Sequence, residues 1–257
     1  MEWEAPAIVL DARPYGEGDA VATVLTEAHG RHRGLARGGF ARSRAAVWQP
    51  GNLVQLRWVG RLPEQLGSFT GELAYPTAAL VLDEPLLLAV LSAACAVAEG
   101  ALPERAPHPR AFGGLLHLIA DLAQASEALP ELVRWEAGLL GELGYGLDLS
   151  RCAVTGRTEG LAWVSPKTGR AVSDDAAGAW KSRLLRLPGF LATDVASDPA
   201  DWRDGLLLTG HFLARDAFGL HHRPLPPARL GLYDRAVELA GADSAPATKT
   251  PPACLTS

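Results

Sequence analysis

The sequence predicts an α+β chain: an N-terminal five-stranded OB-fold β-barrel, then an α-helical domain with a degenerate zinc-knuckle-like insert. Three observations lead there. Between Pro6 and Tyr75, short apolar runs alternate with Gly, Pro, Asn and Asp turns. From Asp83 the composition becomes rich in Leu and Ala at helical spacing. Around Cys152 the pattern turns short and irregular before helical spacing resumes.

Ala7–Leu10 reads as the first strand, and the turn residues Pro14 to Asp19 return it into a second, Ala20–Leu25. A turn at Glu27–Gly30 leads to a third strand, Arg31–Arg37, in which arginines alternate with small and apolar residues. Gln49-Pro50-Gly51-Asn52 punctuates, and Leu53–Trp58 and Leu66–Tyr75 supply the fourth and fifth strands. Short strands with glycine at the corners suit a small closed barrel of the OB type, and an SH3-like barrel fits the same pattern. Asp83-Glu84-Pro85 marks a helix start. Helices are expected over Leu86–Glu99, Arg110–Ala125 and Pro130–Leu143, then over Asp174–Leu187 and Ala200–Phe218, with a last short one to about Leu239. The organisation expected is residues 1–80 as a nucleic-acid-binding barrel and 81–240 as the helical domain, with its insert at about 150–174. Residues 241–257 are expected to form a disordered tail.

The chain carries 29 Asp and Glu against 24 Lys and Arg, a formal charge of −5, so a polyanion site must be a local patch. Ala28–Leu62 is such a patch. It holds Arg31, Arg33, Arg37, Arg42, Arg44, Arg57 and Arg61 beside His29 and His32, with no Asp or Glu. Trp48 and Trp58 lie among them; Trp58 reads better as core than as a stacking platform. Arginine forks hold phosphates and interleaved aromatics stack bases. The competing reading is a solvated β-surface.

Cys95, Cys152 and Cys254 are too few and too widely spaced for a disulfide framework, which points to a reducing cytoplasm. The N-terminus lacks the basic flank of a signal peptide. The apolar run Leu86–Ala98 is shorter than the roughly 20 residues of a membrane span. Cys152-Ala-Val-Thr155-Gly156 outlines half a zinc knuckle, with Ser173 and Ala176 where a second Cys pair would fall. Structural zinc takes about four Cys or His ligands, so neither metal nor cofactor is expected. His211, His221 and His222 read as surface or capping residues. Arg110 and Arg134 offer a cationic pocket on an apolar bundle, suited to a carboxylate-bearing peptide tail, against the alternative of plain solvation.

Several further segments combine in a specific order. Ile8-Val9-Leu10 precedes Arg13-Pro14-Tyr15-Gly16-Glu17-Gly18-Asp19, His29-Gly30-Arg31, Gln49-Pro50-Gly51-Asn52 and Leu66-Gly67-Ser68-Phe69. Then come Trp135-Glu136, Leu143-Gly144-Tyr145, Leu147-Asp148-Leu149 before Cys152, and Arg229 after the prolines. In this order and spacing the sequence resembles the RecO family of bacterial recombination mediators, over about Ile8 to Val237. The resemblance implies an OB-fold, a helical domain with a knuckle, and no enzymatic activity. It further implies single- and double-stranded DNA as ligands, annealing of complementary strands, and work beside RecR at the nucleoid. Docking of the C-terminal tail of single-stranded DNA-binding protein, and through it help in loading RecA, is implied as well. Some members of the family have four cysteines at the knuckle; here Thr155, Ser173 and Ala176 leave Cys152 alone. A peptide-binding adaptor is the first alternative. A metal-dependent nuclease using Asp11, Glu17, Asp19 or Glu72 is the second.

Overall fold

A computed structural model of the chain describes residues 1–42, 44–62, 65–122, 128–193 and 195–243. Strands β1 (Glu2–Tyr15), β2 (Asp19–Thr26), β3 (Gly30–Ala36), β4 (Leu53–Val59) and β5 (Ser68–Tyr75) close into a barrel in the order β1-β2-β3-β5-β4. β4 pairs back onto β1 to complete it. All pairs are antiparallel except β3 with β5, which meet at Leu35↔Ser68 and Ala36↔Phe69. This is an OB-fold. Side chains of a strand alternate between its faces, and β4 shows it: Val54, Leu56 and Trp58 are buried while Gln55, Arg57 and Val59 are exposed. The inward set packs with Ala7, Val9, Val24 and Phe69 to fill the barrel. A register shift between Val9 and Asp11 interrupts the β1–β2 ladder, and Ile8 and Leu10 join the core of the helices instead.

Helix α1 (Thr77–Leu80) leads to α2 (Pro85–Ala101), α3 (Pro109–Asp121) and α4 (Ala128–Glu142). α2 is apolar nearly all round, as a central helix must be, and buries Val90, Leu91, Ala94, Val97 and Ala98. It lies between barrel and bundle: its Cys95 thiol points at the Val9 carbonyl, 3.8 Å away. Beyond α4 come β6 (Leu161–Val164), β7 (Ala171–Ser173), α5 (Asp174–Ala177), a 3-10 turn over Gly178–Arg183, and β8 (Leu185–Arg186). Then follow α6 (Gly189–Ala192), α7 (Pro199–Phe212) and α8 (Pro227–Asp243). A capping box starts α7: Asp198 accepts from the Asp201 backbone while Asp201 reaches back, with Pro199 in the first turn.

Two expectations need correcting. Asp174–Leu187 is not one helix. Gly178 adopts φ 45°, ψ −128°, a conformation a helix cannot pass through, and Leu185 and Arg186 are recruited by β6 into a sheet ordered β7-β6-β8. The long run Ala200–Phe218 stays helical but widens to π geometry from Leu213. The expected end of the second helix at Ala125 and the tail from 244 lie outside the described residues. Among those described, no helix is long and apolar enough to cross a membrane.

Candidate nucleic-acid interface

OB barrels hold oligonucleotides on the face of strands 2 and 3 and with the loops after strands 1 and 4. Alternation decides what β3 offers there. Gly30, His32, Gly34 and Ala36 are buried, Arg33 is exposed and Arg31 is half-buried. Arg33 stands opposite Thr23 of β2. After β3 the chain folds against the β1–β2 turn: the Gly38 amide donates to Asp19 Oδ1 at 2.7 Å and the Phe40 amide to the Gly18 carbonyl at 2.9 Å. Gly38 holds φ 63°, which favours glycine at this reversal. Arg37 adjoins this fold-back, and Arg42 and Arg44 follow it; all three are exposed. The β4–β5 loop, which carries the exposed Arg61, reaches the far end of β3 through a 3.0 Å bond from the Leu35 amide to the Gly67 carbonyl. Among the described residues, none of Arg33, Arg37, Arg42, Arg44 and Arg61 has a carboxylate within 4.0 Å.

Four sequence expectations change. Trp48 is only 6% exposed and lies parallel to Phe69 inside the barrel, so it offers no face to a base. Arg31 is turned toward the helices, donating to the Leu102 carbonyl at 2.8 Å and lying 3.7 Å from Glu99. Arg57 is held by Glu2 at 2.6 Å and Glu4 at 3.6 Å, which cancels its charge locally. Arg110 and Arg134 do not share a pocket. Arg110 begins α3, where its amide bonds Glu142 at the end of α4, eight residues and roughly 12 Å of helix from Arg134. Arg134 itself pairs with Glu131, donates to the Phe190 carbonyl at 3.3 Å and covers the Phe190 ring. Sequence reasoning missed Tyr15 and Phe40, exposed by 58% and 42% at the β1–β2 turn and the fold-back that packs on it. Their positions beside glycines in turns were the available signal.

The other end of β3 borders a cavity of about 380 Å³ lined by Trp3, His29, His32, Trp58 and Arg105. His32 is 4% exposed and neither ring nitrogen has a partner. Burial, helped by the Arg105 cation, pushes its pKa down to about 4.

The knuckle positions converge without a metal-binding donor set. Cys152 Sγ accepts from the Thr155 amide (3.4 Å), the Ser173 amide (3.3 Å) and Ser173 Oγ (3.4 Å), and Ala176 packs beside it. One thiol among hydroxyls and a methyl does not suit zinc. Hydrogen bonds and packing hold this loop.

Residues 1–76 match the family described as Recombination protein O N terminal, and residues 82–224 that described as Recombination protein O C terminal. A DNA repair protein RecO of Granulibacter bethesdensis is 59% identical over 242 residues, covering 93% of this chain and 97% of the relative. Those of Gluconacetobacter diazotrophicus and Acidiphilium cryptum are each 60% identical, covering 91% and 95% of this chain and 94% and 98% of the relatives.

Proposed function

The chain belongs to the RecO family, and from that premise we propose that it serves DNA repair and recombination as a non-enzymatic DNA-binding mediator. The observation that carries this reading is that Arg33, Arg37, Arg42, Arg44 and Arg61, on β3 and the segments that follow β3 and β4, are exposed and uncompensated among the described residues in an acidic chain. These side chains take the phosphates of single- or double-stranded DNA, and Tyr15 and Phe40 supply stacking faces. Annealing follows from the same chemistry. Neutralised phosphates no longer repel, and a held strand meets its complement at raised effective concentration. RecR and the acidic tail of single-stranded DNA-binding protein are the proposed partners, with RecA loading as the outcome. Arg110, exposed at the start of α3, is the cation left to meet that tail.

The test is anisotropy of a labelled single strand titrated with salt, alongside an annealing assay. Removing one phosphate-neutralising side chain should lower the log–log salt slope by about 0.7. Arg37→Ala and Arg42→Ala should each weaken binding and flatten the slope by that amount. Weakened binding at an unchanged slope would remove the direct phosphate role. Absence of binding at low salt would sink the reading for the isolated chain.

A further inference from the structure

We propose that the insert carries a second single-strand surface, centred on Trp180, apart from the barrel. It rests on the mediator reading above: annealing brings two strands together, and a second surface would hold the strand that the barrel does not, adding to the effect of the barrel alone.

Trp180, in the 3-10 turn after α5, is 61% exposed, more than any other Trp, Tyr or Phe among the described residues. An indole kept for stability is normally buried, with its N–H bonded. Trp163 and Trp202 are half-buried and have their N–H bonded, to Asp174 and Ser197; Trp180 is exposed and, among the described residues, donates to none. The Arg183 guanidinium lies 5.2 Å from the Trp180 ring centroid. Arg186 lies over Trp163 at 4.8 Å, while Lys181, at 5.9 Å from the same ring, is neutralised by Asp174 at 2.8 Å. Residues 150–187 hold seven Lys or Arg against three Asp or Glu, the opposite of the chain's overall balance. Among the described residues, Arg183 has no carboxylate within 4.0 Å, and Arg186 meets Asp204 only at 4.0 Å.

Cations alone would serve any polyanion. The open indole beside them selects for a ligand that brings flat rings and phosphates together, which is single-stranded nucleic acid. β6, β7 and β8 form a sheet separate from the barrel.

The test uses the full chain and two non-complementary labelled oligo-dT strands, one donor and one acceptor, to read co-occupancy by energy transfer, with annealing measured in parallel. In Trp180→Ser/Arg183→Ser, first-strand affinity should stay within about twofold, while co-occupancy and the annealing rate should fall about tenfold. Arg183→Glu, which leaves the indole in place, should lower annealing in the same direction. Wild-type annealing in both variants would overturn the proposal. So would a variant that no longer binds a poly-glutamate peptide yet anneals unchanged, which would assign the surface to acidic peptides. If Arg37→Ala/Arg42→Ala/Arg44→Ala bound a strand as the wild type does while the Trp180 variant did not, the insert surface would stand and the barrel reading would fail.

Discussion

His32 points into the barrel, where Trp3 and Trp58 meet it edge-on at 5.3 and 5.2 Å and Phe69 lies 6.2 Å away. Burial there disfavours the charged ring and lowers its pKa from 6.5 to about 4. Between those values the unfolded chain binds the proton that the folded chain refuses. Stability contributed by neutral His32 is therefore complete above about pH 6.5, falls as pH drops toward 4, and is flat below. At 1.36 kcal/mol per unit, the decline is at most about 3 kcal/mol. Urea unfolding at neutral pH and near the lower pKa should show His32→Phe losing about 2 to 3 kcal/mol less than the wild type on acidification. Equal losses would mean that the ring is charged in the fold. Exposure at this scale was only half legible in the sequence. The alternation of β3 was readable, but not that one of its outward positions, Arg31, faces a helix and another, Arg33, faces solvent.

Elements are locked to each other by a single buried pair. Arg229 at the start of α8 is 1% exposed and meets Glu136 of α4, itself fully buried, through Nε and Nη2. The same Nη2 also donates to the Leu206 carbonyl of α7 at 2.8 Å, and Thr209 of α7 completes the cluster. Removing one partner strands a charge in a dry interior, which costs about 3 to 5 kcal/mol. Arg229→Ala should lose stability on that scale by chemical denaturation, and Arg229→Met/Glu136→Leu should recover most of it. A drop under about 1 kcal/mol would show that water reaches Glu136. The strands of the barrel and the helices α2, α4 and α7 were legible because their periodicity is local. Asp174–Leu187 was not, because β6 captures its C-terminal end through pairing that no local window contains. The Glu131–Arg134 pair is a helical i,i+3 spacing open to a sequence reading, but the Phe190 carbonyl and ring that also claim Arg134 lie 56 residues away and were not.

The helical core reaches across the division that composition suggests, although the barrel keeps a core of its own. Ile8, Leu10 and Leu25 of the barrel, each no more than 2% exposed, belong to the cluster built on α2 and α4. The approach is also backbone-close. A Cβ on Gly30 would collide with the Ala106 carbonyl oxygen, and one on Gly51 would collide with the Leu91 side chain. Burying three such aliphatic side chains is worth about 5 to 9 kcal/mol, comparable with the entire stability of a typical domain, about 5 to 15 kcal/mol. A fragment of residues 1–76 would return them to water and should show no cooperative transition. The intact chain should instead unfold in one calorimetric step. Because folding is shared, a strand bound at the barrel should raise the midpoint of that single step, helices included. A fragment that melts cooperatively by itself, or an intact chain with two separate transitions of which DNA shifts only one, would show that the barrel folds without the bundle.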